Sequence, residues 1–120
     1  MKLVIPYLQK SLNILLRQHY RKFMQQQEVA DILVHKAYRE NYERKDNFKG
    51  KQVKIIYTLY FKDRQRRDYS NYAQKMIDDS LVKEGIIDDD NSNVIVEETV
   101  RIRYDSKNPR TEVEIKEANL

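Results

Sequence analysis

The sequence predicts a mixed α+β domain: a β-sheet with two main helices, in the order strand, helix, strand, helix, hairpin. Three observations carry this. Residues 53–62 alternate along a single strand, with apolar side chains on both faces. Two stretches, 28–42 and 71–84, repeat apolar residues at helical spacing. Two further alternating stretches, 94–104 and 111–116, flank a turn. With 120 residues and no linker, internal repeat or low-complexity segment, residues 1–120 read as a single domain.

Lys2 to Tyr7 reads as a short opening strand, which Pro6 confines to an edge or terminus. Ser11 to Met24 suits either a helix or an ordered loop, since Leu12, Ile14, Leu15 and Tyr20 fit both. From Glu28, Val29, Ile32, Leu33, Lys36 and Ala37 fall at helical spacing, and the pattern runs to about Tyr42. The strand from Val53 carries Ile55, Tyr57, Leu59 and Phe61 on one face and Ile56, Thr58 and Tyr60 on the other, the pattern of a central strand covered on two sides. The charged loop DRQRRDYSN leads into a helix from about Asn71 to Glu84, with Ser70 or Asn71 as its cap. Its apolar face is Tyr72, Ala73, Met76, Ile77, Ser80 and Leu81, and its polar face Asn71, Lys75, Asp78 and Asp79. Gly85 stands where a helix end wants a left-handed residue. Val94, Val96, Val100, Ile102 and Tyr104 then alternate, and beyond DSKNPR so do Val113 and Ile115, which reads as a hairpin.

Composition excludes several classes. The chain has no cysteine, which removes disulfides and thiolate metal sites and fits a reducing interior. No stretch approaches the roughly 20 apolar residues of a membrane span, and MKLVIPYLQK lacks the layout of a signal peptide. A cytoplasmic protein with no membrane partner is therefore expected. Lys and Arg number 23 against 19 Asp and Glu, a net charge of +4 that favours a polyanionic partner. The charge is also segregated. Arg17, His19, Arg21 and Lys22 form one basic cluster, and Lys62, Arg64, Arg66 and Arg67 form another. Carboxylates gather from Asp78 to Asp90.

In GIIDDDN, three adjacent carboxylates, Asp88, Asp89 and Asp90, repel one another. They make either a solvated turn or part of a cation site, since Mg²⁺ needs a few hard oxygen ligands and keeps several waters. An EF-hand is excluded, because neither the glycine at its sixth position nor the glutamate at its twelfth is present. Lys75 and Asp79 share a helical face and read either as an exposed ion pair or as a lysine placed beside a bound phosphate. His19 and His35 are not at metal-pair spacing; His19 suits a phosphate contact and His35 an ordinary helix position. Most of the nine tyrosines read as core.

Taken together, RRDYSNYAQKMIDDSLVKEGIIDDDN resembles the signature of the RusA family of Holliday-junction resolvases, common in phages and prophages. That signature is a basic run, D-x-D-N-x-x-K, D-A-L, a glycine and a D-D pair. Here these are Arg64, Arg66 and Arg67; Asp68, Ser70, Asn71 and Lys75; Asp79, Ser80 and Leu81; Gly85; and Asp89 with Asp90. The resemblance covers nearly the whole chain and is most specific from Gln52 to Val96.

It implies a homodimeric, Mg²⁺-dependent endonuclease, with Mn²⁺ as substitute, that resolves four-way DNA junctions by paired nicks during recombination and repair. By position, Asp68, Lys75 and Asp90 are the implied catalytic residues, Asp68 and Asp90 also binding metal. Asp79, Asp89 and Asn71 are further metal ligands or neighbours. DNA would be held by Lys62, Arg64, Arg66 and Arg67, with His19, Arg21 and Lys22. Two departures stand out. Ser70 replaces the second aspartate of D-x-D-N, and one extra residue separates Asn71 from Lys75. They leave a second reading open, a non-catalytic or attenuated relative that binds branched DNA.

Overall fold

The computed structural model describes residues 1–6, 20–71 and 74–118. Its elements run β1 (Lys2–Ile5), α1 (Tyr20–Asn41), β2 (Val53–Phe61), a 3₁₀ turn (Tyr69–Asn71), α2 (Gln74–Lys83), β3 (Ile95–Tyr104) and β4 (Arg110–Glu117). The order matches the sequence reading, and the class is α+β. Helix α1 starts earlier than its clear periodicity did. Residues 20–41 contain neither glycine nor proline, so nothing breaks the helix before Glu28. The rest of the ambiguous segment, 7–19, lies outside the described residues. Ser70 and Asn71 lie in the 3₁₀ turn and not in α2, whose described part begins at Gln74.

The four strands are ordered β1-β4-β2-β3. The pairing of the last two strands is a correction to the sequence reading. β3 pairs in parallel with β2, and β4 pairs antiparallel with the other edge of β2, so β3 and β4 form no hairpin. The connection explains this. Residues 105–109 are too long for a tight two-residue turn, and they pass over the end of β2, where the Asp105 amide bonds the Phe61 carbonyl. β2, α2 and β3 thus form a strand–helix–strand unit, the arrangement that parallel pairing requires.

The core lies between the helices and one face of the sheet. Val53, Ile55 and Tyr57 of β2 are fully buried with Ala30 and Val34 of α1 and Leu81 of α2. The other face of β2 has no helical layer among the described residues, so the expected cover on two sides is not seen. Ile56, Thr58 and Tyr60 are half-buried there. Long charged side chains shield that face instead: the Arg110 guanidinium lies 3.8 Å from the Tyr60 ring centre, and Glu112 pairs with Lys2 and Arg110.

Candidate active site

Helix α2 carries Lys75 and Asp79 of the candidate residues, and a polar lock fixes it against α1. Gln27, almost wholly buried, donates to Asp31 (2.9 Å), to the Met76 carbonyl (3.0 Å) and to Ser80 Oγ (3.2 Å). Ser80, fully buried, donates to Asp31 Oδ1 at 2.6 Å, and Lys83 closes the group at Asp31 Oδ2, 2.9 Å. Burial alone would raise the Asp31 pKa, but the bonds from Ser80, Lys83 and Gln27 outweigh it and hold the carboxyl below its ordinary value. None of the described buried side-chain polar atoms of this lock is left without a partner, which is what makes a buried network rigid.

The chain after α2 is fixed as firmly. Gly85 has φ +76°, its amide bonds the Val82 carbonyl, and the Ile86 amide reaches back to Leu81. These are the two bonds of a Schellman cap, with Ile86 buried beneath it. The Phe48 amide then bonds the Ile86 carbonyl, and the Gly50 amide bonds Asp88 Oδ2 at 2.7 Å. Asp88 is therefore a structural clasp between two loops.

This scaffold brings Asp90 to α2. Lys75 Nζ bonds both Asp90 and Asp79, the latter at 3.0 Å, so the helix and the loop after it meet at one ammonium group. Asp89 lies alongside, its Oδ1 accepting the Asp90 amide at 2.7 Å. Asp90 sits below the usual carboxylate range because Lys75, then Asp79, bond to it. The same two aspartates push the Lys75 pKa well up, so its charge is permanent.

Asp78 departs from the sequence reading, which placed it on the polar face of the helix. It is 5% exposed, turned inward, and accepts a hydrogen bond from the hydroxyl of fully buried Tyr57 on β2. Burial first, then a hydrogen bond with Glu98 of β3, raises its pKa to about 8. Asp78 thus keeps its proton at neutral pH. Tyr57 and Glu98 are members of the centre that sequence reasoning missed. A tyrosine hydroxyl on the buried face of β2 was the available signal, because a buried hydroxyl requires a partner.

Asp68 is exposed at the entry to the 3₁₀ turn, which packs on β3. Ser70 is exposed within that turn, and Asn71 ends it. No hydrogen bond or ion pair among those described joins Asp68 to the Lys75 cluster, and no three described His, Asp or Glu residues converge as a metal-binding group. Of the basic loop, Lys62, Arg64 and Arg66 are exposed. Arg67 is turned to structural use: it bonds Asp63 Oδ1 at 2.7 Å and stacks 3.9 Å from the Phe61 ring centre. Arg21 is exposed on the first turn of α1 and Lys22 follows it, while His19 lies outside the described residues. His35 is an exposed helix residue bonded to Glu84 at 2.7 Å.

The donors around Lys75 fit a hard divalent cation in kind. They are all carboxylate oxygens. At present the Lys75 ammonium supplies the positive charge among them.

What the fold and site define is a carboxylate–lysine centre and, following β2, a cationic loop, on a small mixed sheet. The family Endodeoxyribonuclease RusA matches residues 7–116, and the chain belongs to that family of junction-resolving endonucleases. No curated protein matches the chain in sequence. No described helix is long and apolar enough to cross a membrane.

Proposed function

We propose that the protein is a Mg²⁺-dependent, structure-specific endonuclease that resolves four-way DNA junctions by paired symmetric nicks, acting as a homodimer. The observation that carries this reading is Lys75 joining Asp79 and Asp90, which brings the lysine of D-x-D-N-x-x-K, the aspartate of D-A-L and the last aspartate of D-D to one point. Asp90, with Asp89 and Asp79, would hold the ion, assisted by Asp68 before the 3₁₀ turn and Asn71 at its end. When bound, Mg²⁺ supplies Lewis-acid charge at a scissile phosphate.

The side chains have distinct tasks. Lys75 keeps its charge at any working pH and is placed to offset the negative charge that grows on the phosphate. Asp78 retains its proton at neutral pH, which spares an incoming phosphate one more repelling charge. The exposed cations Lys62, Arg64 and Arg66 grip backbone phosphates by charge, without reading sequence. A two-fold dimer matches a two-fold junction, one nick per subunit.

The departure at Ser70 favours a second reading, a branched-DNA-binding relative whose cutting is weak or lost, since a hydroxyl is a poorer Mg²⁺ ligand than a carboxylate. Cleavage of a synthetic four-way junction by the wild type and by Ser70→Asp, with Mg²⁺ and with EDTA, separates the readings. Paired nicks that need Mg²⁺ in the wild type support the enzyme. A wild type that binds but does not cut, with cutting restored in Ser70→Asp, supports the attenuated relative. Binding without cutting in both proteins at every metal concentration refutes the enzyme.

A further inference from the structure

A cleft of about 480 Å³ opens at the ends of β2 and β3, lined by Tyr60, Arg64, Arg67, Ile102, Arg103 and Tyr104, with Asp63 and Gln65 on its loop side. Its size falls within the roughly 300–1,000 Å³ of ligand-binding clefts. Three arginines face one aspartate, so it attracts anions. Its walls are set. Arg67 is pinned by Asp63 and by the carbonyls of Asp63 (3.0 Å) and Gln65 (2.9 Å), and Arg103 folds onto the Ile102 carbonyl. Tyr104 is different. The residue is 44% exposed, and the exposed Arg64 lies over its ring with the guanidinium carbon 4.6 Å from the ring centre.

We infer that this cleft holds one unpaired nucleobase of a DNA strand, stacked on Tyr104. The inference rests on the DNA-processing reading above and assigns it a specific contact. An open aromatic face ringed by cations is how proteins hold single-stranded nucleic acid, because every base offers a π-face once it leaves its stack. A base inside a duplex is covered on both sides and has no face to give. The entering base takes the face that Arg64 now covers, and the released guanidinium turns to that nucleotide's phosphate. Along β3, Tyr104 stands six residues from Glu98, about 20 Å at ~3.3 Å per residue. The candidate active site and the cleft can therefore engage one substrate at once, roughly six base-pair steps apart at ~3.4 Å each.

The test uses the full chain with three probes, each carrying 2-aminopurine: a single strand, a fully paired duplex, and a four-way junction labelled at the crossover. Tyr104→Ala is expected to weaken single-strand binding roughly 5- to 150-fold, the range of one base–aromatic stack, and to abolish the fluorescence quenching of the bound base. Duplex binding should not change, and Tyr104→Phe, which keeps the ring, should bind within about twofold of wild type. Arg64→Lys keeps the charge but loses the planar group, and should weaken the single-strand complex less than Tyr104→Ala does. Equal binding of the single strand by wild type and Tyr104→Ala, or equal losses on single strand and duplex, overturns the inference. The two claims separate cleanly. A wild type that prefers the junction with no role for Tyr104 sinks the cleft alone. Tyr104-dependent single-strand binding without junction preference upholds the cleft and counts against the resolvase. No binding of any probe overturns both.

Discussion

Replacing Asp78 with asparagine tests whether the fold holds a carboxyl in its protonated form. Asp78 is 5% exposed, accepts from Tyr57 and is hydrogen-bonded to Glu98, with a pKa raised from 3.8 to about 8. Asparagine reproduces the protonated state: its carbonyl accepts from Tyr57 and its amide donates to Glu98. The sign follows from proton linkage. Between about pH 4 and pH 8 the unfolded chain releases this proton while the folded protein keeps it, so this group's contribution to stability falls as pH rises. It is flat below the unfolded pKa and again above the folded one. At ~1.36 kcal/mol per pKa unit, a displacement of about four units sets a ceiling of roughly 5 kcal/mol. Relaxation and water entry in a real interior bring the expected difference to about 2–3 kcal/mol. Urea unfolding of both proteins at pH 5, 7 and 9 measures it. Asp63 and Asp105, whose pKa values are depressed, contribute stability that is lost as pH falls, but they are present in both proteins and cancel in the comparison. Asp78→Asn should lie closest to wild type at pH 5, exceed it by more at pH 7, and reach a plateau by pH 9. A constant difference at all three pH values, or a variant weaker at pH 9, refutes a protonated Asp78.

Arg67→Ala should loosen the loop at 62–68, seen as faster limited proteolysis there, and lower stability by about 1–2 kcal/mol. Arg67→Lys should be nearly as damaging, because an ammonium reproduces neither the planar stack on Phe61 nor the several bonds within the loop. Gly85→Ala should cost about 1–2 kcal/mol in urea unfolding with an unchanged m-value, since φ is +76° and nothing lies within 4 Å of an added Cβ. The cost then comes from the backbone alone.

What could be read from the sequence followed from local periodicity and local chemistry. The alternation of Val53 to Phe61 placed β2 correctly, and Gly85 announced its own cap. Strand partners were not legible. Nothing in residues 94–116 says that β2 will insert between the last two strands, because that depends on how a five-residue connection crosses a strand end. Asp78 was misread for a similar reason. Its helical position marked it as polar, but Tyr57 and Glu98, both distant in sequence, give it a place inside. The Lys75–Asp79 pair was legible from helical spacing, whereas Asp90, grouped with Lys75 only by the family resemblance, is brought to the same ammonium by the fold. Tyr104 read as part of a strand's apolar face, and only the end of the sheet shows it to be exposed, with Arg64 over its ring.

The central claim is that the Lys75–Asp79–Asp90 cluster is the catalytic centre of a metal-dependent endonuclease. The most direct measurement is single-turnover cleavage of a four-way junction over a Mg²⁺ series by wild type, Asp90→Asn and Lys75→Ala. Lys75 is 69% exposed, so its loss should leave stability within about 1 kcal/mol and junction affinity little changed. Each variant should cut at least about 100-fold more slowly, the scale for removing one charge-stabilising group from a catalytic site. Cutting by Asp90→Asn at the wild-type rate would place the chemistry elsewhere in the molecule.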